Sequence, residues 1–131
     1  MKKITLTCAH AIVKYLISQK ILINGKKEPL FPGVFGIFGH GNVACLGQAL
    51  EENQKELPTY RGHHEQNMAL TGIGYARAKR RQQIFVATSS VGPGATNMVT
   101  AAAVAMSNRL PILLLPGDTY ANRMPDPVLQ Q

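Results

Sequence analysis

The sequence predicts an α/β fold in which helices cover both faces of a parallel β-sheet. Three short apolar runs bounded by glycine or proline, at residues 34–38, 84–87 and 111–116, are typical of buried parallel strands. Segments with helical periodicity separate these runs, and the connections are short, as in sheets whose strands are joined by crossover helices. The 131 residues are enough for one domain with one modest core.

The N-terminal part predicts a helix, a hairpin and the first buried strand. Thr7 can cap a helix that runs to about residue 19. Asn24 and Gly25 form a strong turn signal, so residues 21–23 and 28–30 predict a small hairpin. The predicted apolar face of the first helix consists of Ala11, Ile12, Tyr15 and Leu16.

The middle of the chain predicts a turn, a helix, a weaker strand and another helix. Residues 39–42 predict a tight turn, after which Asn42 can cap a helix over residues 43–54. Residues 58–63 predict the weaker strand, and residues 64–79 predict the second helix. Its inner side is predicted to carry Met68, Ile73 and Ala76. The small residues between Gly72 and Ala78 suit a crowded interface.

The C-terminal part repeats the order of strand, turn and helix. The strand at residues 84–87 leads into a glycine-containing turn over residues 88–94, and residues 95–107 predict an alanine-rich helix. Its predicted apolar stripe contains Met98, Val99 and Ala102. After the last strand, the polar residues 119–131 predict a loop.

The composition limits the kinds of partner and the cellular location that we expect for this protein. Fourteen lysines and arginines against seven acidic residues give a net charge of +7. The positive residues are scattered in short runs without interleaved aromatics or a nucleic-acid motif, so we expect no nucleic-acid partner. We see no secretory signal and no apolar run of bilayer length, and we expect a cytoplasmic protein with no membrane partner. Cys8 and Cys45 are expected to be buried free thiols.

Glu65 is the first candidate for chemistry. It stands between a predicted strand and a predicted helix, where the helix dipole stabilises a carboxylate. Simple capping of the helix is one explanation. The other is that the carboxylate shares a proton with a ligand bound against it. On spacing alone, capping is the commoner role.

Two turns lie at the edge of the predicted sheet where α/β proteins bind ligands. Residues 92–94, Gly-Pro-Gly, either expose backbone N–H groups to a phosphate or simply join a strand to a helix. His40, between Gly39 and Gly41, is either a proton-transfer group or an ordinary surface histidine. The histidines beside Glu65 have no cysteine or carboxylate at ligand spacing, so no metal site is predicted.

Three segments together resemble the pyrimidine-binding domain of thiamine-diphosphate enzymes of the acetolactate synthase and pyruvate oxidase superfamily. The segments are H-H-E-Q-N-M-A-L-T-G-I-G-Y-A-R at 63–77, A-T-S-S-V-G-P-G-A-T-N at 87–97 and R-L-P-I-L-L-L-P-G-D at 109–118. They occur in the order and at the separations of that superfamily, so the resemblance is specific and covers essentially the whole chain.

A finer likeness is to the trihydroxycyclohexanedione hydrolases of inositol catabolism. It is carried by I-F-G-H-G-N-V-A-C-L-G-Q-A-L-E-E at 37–52, T-S-S-V-G-P-G-A-T-N-M-V-T-A-A-A at 88–103, L-L-L-P-G-D-T-Y-A-N-R at 113–123 and P-D-P-V-L-Q-Q at 125–131. Two departures from the wider superfamily favour it. The turn at residues 39–42 replaces a Gly-x-Pro-Gly turn, and Ser90 and Val91 are two extra residues.

The resemblance implies a set of site residues. Glu65 would hydrogen-bond the aminopyrimidine ring of thiamine diphosphate and share a proton with it, so that the ring can take the proton from thiazolium C2. His40 would be a candidate for proton transfers on the substrate side. The further cofactor-binding residues that the resemblance implies are Gly39, Gly41, Ser89, Gly92, Gly94 and Asn97.

The implied reaction is hydrolysis of a C–C bond of trihydroxycyclohexane-1,2-dione, a cyclic 1,2-diketone, in myo-inositol catabolism. In such enzymes a separate domain, usually on a partner subunit, holds Mg²⁺ and the diphosphate through a Gly-Asp-Gly…Asn motif, whereas here Thr119 follows Gly117 and Asp118. We therefore expect residues 1–131 to be a truncated N-terminal pyrimidine-binding domain, inactive alone, whose central and diphosphate-binding domains are missing and which works in a homo-oligomer. The alternatives are an acetolactate-synthase-like carboligase or decarboxylase domain and a non-catalytic interaction module.

Overall fold

The computed structural model describes residues 3–119 and Asn122. The first half of the chain forms α1 (Cys8–Ser18), β1 (Lys20–Ile23), β2 (Lys26–Pro29), β3 (Val34–Gly36), α2 (Gly39–Asn42), a π-helix (Val43–Gly47) and α3 (Gln48–Glu52). The second half forms β4 (Thr59–Arg61), α4 (Glu65–Ala78), β5 (Val86–Ser89), α5 (Pro93–Thr96), α6 (Val99–Asn108) and β6 (Leu113–Pro116). The loop predicted for residues 119–131 lies almost entirely outside the described residues.

The centre of the fold is a parallel sheet of four strands in the order β4-β3-β5-β6. Strand β3 pairs with β4 and β5, and β5 also pairs with β6. Because all pairings are parallel, the carboxyl ends of the strands lie at one edge of the sheet. The predicted α/β architecture is confirmed. The predicted hairpin is also present, since β1 and β2 pair in antiparallel fashion around Asn24 and Gly25.

Helices pack on both faces of the sheet, because successive side chains of a strand point to opposite faces. On β5, Val86 packs into a core with α1 and α3. The next residue, Ala87, packs into a second core with α4 and α6. The predicted coverage of both faces is therefore confirmed. Each core holds the helices of one face in place beside the sheet edge where the loops meet.

Helix α1 begins where the sequence predicts, but its buried face is different. The hydroxyl of Thr7 accepts a hydrogen bond from the backbone N–H of His10 at 3.2 Å, which caps the helix. Val13 and Leu16 are buried one helical turn apart, whereas Tyr15 is 63% exposed. The predicted face was wrong at Ala11 and Tyr15, which are both exposed, because the helix meets α3 along the line of Val13 and Leu16 instead.

The tight turn predicted for residues 39–42 is wrong, because the chain is helical from Gly39 onward. Helix α2 continues through the π-helix into α3. Asn42 does not cap a helix; its side-chain amide donates to the carbonyl of Ser89 at 3.4 Å and ties this helical segment to the end of β5. Burial of Leu46 and Leu50 supplies the packing that overcomes the low helix propensity of the glycines.

The single helix predicted over residues 95–107 is two helices, α5 and α6, with a break at Asn97 and Met98. Met98 is buried as predicted, but Val99 is 62% exposed and Ala101 takes its place in the core. Gly94, Met98, Ala101 and Ala105 are buried at regular helical spacing, so the buried face passes through Met98 and leaves the neighbouring Val99 exposed.

The small residues of α4 serve the core of this chain. A Cβ on Gly72 would lie 3.0 Å from Cδ1 of Ile112 and 3.2 Å from Cβ of Phe85, so only glycine lets α4 approach the strands this closely. The predicted inner residues Met68, Ile73 and Ala76 are buried. The crowded interface expected from the sequence is thus, at Gly72, an internal one.

The cysteine prediction is wrong on burial. Cys8 and Cys45 are both free and both exposed, and they line one cleft between α1, the π-helix and the end of β6. Among the described residues, no helix combines the length and the apolar character needed to cross a membrane.

A salt bridge between α1 and α3 gives the stability of the fold a pH dependence. His10 Nε2 lies 2.8 Å from Glu52 Oε2. This hydrogen bond, followed by one from Gln48, holds the pKa of Glu52 below its usual value of 4.5. The folded state therefore favours the charged carboxylate, so the stabilisation is present above pH 4.5 and is lost as the pH falls through the lowered pKa.

We expect the urea midpoint of the wild-type chain to exceed that of Glu52→Gln at about pH 6 but not at about pH 3. Unfolding followed by circular dichroism at both pH values measures this. If the urea midpoints of wild type and Glu52→Gln differed by the same amount at both pH values, the carboxylate charge would not contribute to stability.

Candidate functional site

A cleft of about 690 Å³ opens at the sheet edge where β3 and β5 end. Its lining residues are Ile37, Gly39, Glu65, Ser90, Pro93, Gly94, Thr96 and Asn97. Ligands of open parallel sheets bind at this edge, because the loops after adjacent strands diverge there. Four of the predicted site residues, Gly39, Glu65, Gly94 and Asn97, therefore meet in one place.

Glu65 is the first residue of α4, but it does not cap that helix. The cap is His64, whose Nδ1 accepts a hydrogen bond from the backbone N–H of Asn67 at 3.4 Å. The half-buried carboxylate of Glu65 instead accepts a hydrogen bond at Oε2 from Nδ2 of Asn97, at 2.8 Å. The sequence left open whether Glu65 caps α4; in the structure His64 does so, and the side chain of Glu65 extends into the cleft to Asn97 instead.

The two carboxylate oxygens of Glu65 have different surroundings. Oε2 is held by Asn97, whereas Oε1 accepts no hydrogen bond from the residues that the structure describes. A Cβ on Gly94 would lie only 3.3 Å from Oε1 and 3.2 Å from the hydroxyl of Ser90. Gly94, which is buried, therefore leaves Oε1 open to the cleft.

Gly39 closes the opposite wall of the cleft. It has a φ of 66°, and a Cβ there would collide with Cβ of Ser90. Ile37 and Pro93 add apolar surface beside it. Apolar surface and a carboxylate oxygen in one cleft fit a flat nitrogen heterocycle such as the aminopyrimidine of thiamine diphosphate, since Glu65 Oε1 can exchange a proton with a ring nitrogen.

Three other predicted cofactor-binding residues do not line this cleft. The side chain of Ser89 is fully buried in β5, and its hydroxyl donates to the carbonyl of Ser90 at 3.0 Å. Gly92 precedes α5, and its carbonyl accepts hydrogen bonds from Thr96. Gly41 is exposed within α2, and a Cβ on it would have no neighbour within 4 Å.

The turn at residues 92–94 joins a strand to a helix and offers little to a phosphate. Helix α5 has only four residues and begins at Pro93, which has no N–H to donate. The joining function is therefore the one that this local geometry favours.

His40 lies in a second cleft, of about 510 Å³, on the other side of the β3 end. Ile37 and Gly39 line both clefts. Arg61 at the end of β4 and Glu51 of α3 line the second one with His40, and no described residue forms a hydrogen bond or an ion pair with any of these three side chains. The two clefts are neighbours, so a ligand in one can reach a ligand in the other.

Sequence reasoning missed several residues of the site. His64 was noted only as a neighbour of Glu65, and histidine is not among the preferred helix caps, so no propensity signal marks it. Ile37 was missed because an apolar residue at a strand end looks like core, and its position directly after β3 is the signal that could have identified it. Pro93 was noted only as part of the Gly-Pro-Gly turn, without a function for its apolar ring.

Between residues 3 and 119, no three His, Cys, Asp or Glu side chains are grouped closely enough to ligate a metal ion together.

Comparison with known proteins matches residues 30–131 to the family of the thiamine pyrophosphate enzyme, N-terminal TPP binding domain. The whole chain is 57% identical to a 3D-(3,5/4)-trihydroxycyclohexane-1,2-dione hydrolase of Geobacillus thermodenitrificans and covers 20% of that protein. It is 53% identical to the protein of the same name in Clostridium tetani, with the same coverage. The chain thus spans about a fifth of the length of the curated relatives that it matches.

Proposed function

This chain belongs to the thiamine pyrophosphate enzymes, and from that premise we propose that its cleft binds the aminopyrimidine ring of thiamine diphosphate. The observation that supports the proposal is the arrangement of Glu65, whose Oε2 is held by Asn97 at 2.8 Å while Oε1 faces the open cleft. Gly39 and Gly94 complete the binding site, and Ile37 and Pro93 pack against the flat ring.

When bound, thiamine diphosphate supplies a thiazolium carbon that can add to a carbonyl group and stabilise the charge left when an adjacent C–C bond breaks. The residues of this chain position a proton next to the bound ring. Because Asn97 donates to Oε2, that oxygen acts as an acceptor, and a proton shared with the ligand is held at Oε1. Glu65 thus acts as the acid and base toward the ring nitrogen.

The substrate that we propose is a polyhydroxylated cyclic 1,2-diketone, trihydroxycyclohexane-1,2-dione, in the degradation of myo-inositol. The bond between the two carbonyl carbons breaks, and one water molecule supplies the groups that are added to the two carbons. Its hydroxyl adds to one carbonyl carbon, which becomes a carboxylic acid, and a hydrogen adds to the other, which becomes an aldehyde. The product is an open-chain sugar acid, and no oxidant or reductant is needed.

The second cleft is where we place the substrate side of the reaction. His40 is the predicted proton-transfer residue there, and Arg61 and Glu51 supply a donor and an acceptor for hydroxyl and carboxylate groups. Since Ile37 and Gly39 border both clefts, a diketone in the second cleft would lie next to a cofactor in the first.

The remaining parts of the site are proposed to come from other polypeptide. A diphosphate-binding domain of a partner subunit would hold Mg²⁺ and the diphosphate, and the enzyme would work as a cytoplasmic homo-oligomer. The described residues supply no group of three ligands for the cation. The proposal assigns only the pyrimidine half of the cofactor site to residues 1–131.

The reaction can be tested in a full-length chimera, in which these 131 residues replace the matching stretch of the Geobacillus thermodenitrificans relative. With thiamine diphosphate and Mg²⁺ added, we expect the chimera to convert the cyclic dione to an open-chain acid and the 131-residue chain alone to convert none. Product formation followed by NMR measures both. Turnover of pyruvate instead of the dione would favour an acetolactate-synthase-like activity, and turnover by the short chain alone would contradict the split site.

Substitution of Gly94 tests the shape of the cleft in the same chimera. A methyl group from Gly94→Ala would press against Glu65 Oε1 and the Ser90 hydroxyl at 3.2–3.3 Å. The free protein can relieve this contact by moving the Glu65 carboxylate away from Gly94, and restoring its position to bind the ring would cost about 1–3 kcal/mol, so the Kd of thiamine diphosphate should rise about ten- to a hundredfold.

The matched control is Gly74→Ala, at an exposed position of α4 where a Cβ meets nothing within 4 Å. Isothermal titration should show its Kd unchanged. If both variants bind the cofactor like the wild type, the ligand does not use the space beside Gly94.

A further inference from the structure

Four exposed basic residues meet at the ends of two neighbouring helices, and we call them the basic patch: Lys79, Arg80, Arg81 and Arg109. The first three follow α4, and Arg109 follows α6. Nε of Arg81 donates a hydrogen bond to the backbone carbonyl of Arg109 at 2.8 Å, which joins the two helix ends. The fold therefore brings together positive residues that lie 28 positions apart in the sequence.

The charge of the basic patch is not neutralised within the part of the chain that the structure describes. The ion pair seen there joins His10 of α1 to Glu52 of α3, and these helices pack on the other face of the sheet. None of the four basic side chains forms an ion pair with a described carboxylate. Because like charges in one place repel one another, the patch has a positive potential that an anionic partner would relieve.

The local geometry of the helix ends does not require arginine. Arg80, Arg81 and Arg109 have φ values of 53°, 64° and 52°, in the left-handed region where glycine fits with less strain. The backbone N–H of Arg81 donates to the carbonyl of Ala76, as in helices that end at glycine. A positive charge near the end of a helix is favourable, but Arg77 already supplies one in the last turn of α4. Termination of the helices thus leaves the basic patch unexplained.

The hydrogen bond to Arg109 prepares the side chain of Arg81 for a ligand. A guanidinium carries N–H donors on Nε and on both terminal nitrogens, and this bond uses only Nε. No described residue accepts a hydrogen bond from the terminal nitrogens of Arg81. The side chain is therefore held in place while its outer fork of donors stays free. Such a fork matches the two oxygens of a carboxylate.

An acidic protein segment fits the basic patch better than a nucleic acid does. Single-stranded nucleic acids use aromatic side chains, on which their bases stack, in addition to basic groups. The aromatic residue beside the patch is Tyr75, which is half-buried. Its ring already packs edge-on against Phe85 and lies 5.6 Å from Nζ of Lys79. A segment rich in Asp and Glu needs only the charges and donors that the patch supplies.

The basic patch lies at the opposite end of α4 from Glu65. This helix has 14 residues, so its two ends are about 20 Å apart. We propose that the basic patch is a docking surface for an acidic segment of another protein, in which Arg81 pairs with a carboxylate. At this distance the partner can bind while the clefts at the far end of α4 are occupied. The proposal does not depend on the proposed function.

Binding can be measured by fluorescence anisotropy with the 131-residue chain and a labelled peptide of about eight glutamates. We expect saturable binding at about 50 mM NaCl that weakens strongly at about 300 mM, because salt screens exposed charges. Arg80→Gly combined with Arg81→Gly should weaken binding about tenfold, the contribution expected of two exposed ion pairs. Glycine suits the left-handed backbone, so circular dichroism should show the fold unchanged.

A milder variant covers the case in which the double variant does not fold. Arg81→Lys keeps the charge but loses the fork, and we expect it to weaken binding of the peptide about threefold. Wild-type affinity in both Arg81→Lys and the double variant, or in Arg81→Lys alone if the double variant is unfolded, overturns the assignment of Arg81.

The matched control is Lys55→Gln, which removes an exposed charge from the turn after α3. It should bind the peptide like the wild type. An equal loss in this control would mean that net charge, and not the basic patch, attracts the peptide, and the proposal fails. It also fails if a single-stranded oligonucleotide of matched charge binds more tightly than the peptide. Absence of binding to the full-length chimera would mean that the rest of the enzyme covers the patch, and this result overturns the proposal as well.

Discussion

Glu65→Gln in the full-length chimera is expected to lower kcat by about 10²–10⁴-fold, the usual contribution of a positioned acid or base. Glutamine keeps the shape of the side chain and can still accept the hydrogen bond that Asn97 donates to Oε2. It cannot hold an exchangeable carboxyl proton at the position of Oε1. The loss should therefore fall on kcat, with the Kd of thiamine diphosphate changed much less.

The control for this substitution is Glu56→Gln, which removes an equal charge from an exposed carboxylate outside both clefts. Steady-state assays at saturating cofactor should give the control wild-type kcat. If Glu65→Gln retains kcat within about threefold, the acid and base assignment fails, since a loss of that size is smaller than general catalysis supplies.

Gly39→Ala is expected to destabilise the 131-residue chain by about 2–4 kcal/mol, the sum of a left-handed backbone and a steric conflict. Gly39 has a φ of 66°, and its added Cβ would collide with Cβ of Ser90, which is fixed at the end of β5. Urea unfolding measures the change in the free energy of unfolding. The close approach of Gly39, which follows β3, to Ser90, which follows β5, forms the wall between the two clefts.

Gly25→Ala is the matched control, because Gly25 also has a positive φ, of 78°, but has no atom within 4 Å of an added Cβ. It should cost only the backbone term of about 1 kcal/mol. Equal losses in the two variants would mean that the contact between Gly39 and Ser90 is not a constraint on the fold.

The sheet could be predicted from sequence because its signal is local. Short apolar runs around Val34, Val86 and Leu113 can only be buried strands when they alternate with helical segments. The buried face of each helix was harder to predict than the strands. Tyr15 was assigned to the core and is exposed because the direction in which α1 meets α3 is a tertiary property. Val99 was assigned to the apolar stripe and is exposed, because which of the two adjacent apolar residues Met98 and Val99 faces the core depends on how α6 packs against α4.

The site could be predicted in part. Glu65 and Gly94 were singled out by their positions between a strand and a helix and Asn97 by the family resemblance, and the structure brings all three to one cleft. What the sequence could not supply was the pairing of Asn97 with Glu65 across 32 residues, or the exchange of the capping role to His64. The pairing depends on how the start of α4 and the end of α5 approach each other, which no local motif specifies. The cap is a local contact between His64 and Asn67, but histidine is not among the residues preferred at that position.

The most direct test of Glu65 is the exchange of the C2 hydrogen of thiamine diphosphate bound to the full-length chimera, followed by ¹H NMR after transfer to deuterated water. If Glu65 holds the proton that the aminopyrimidine needs, Glu65→Gln should slow this exchange by about a hundredfold or more, while cofactor binding persists. An exchange rate in Glu65→Gln equal to that of the wild type, with the cofactor bound in both, would contradict the assignment of Glu65 as the residue that activates the cofactor.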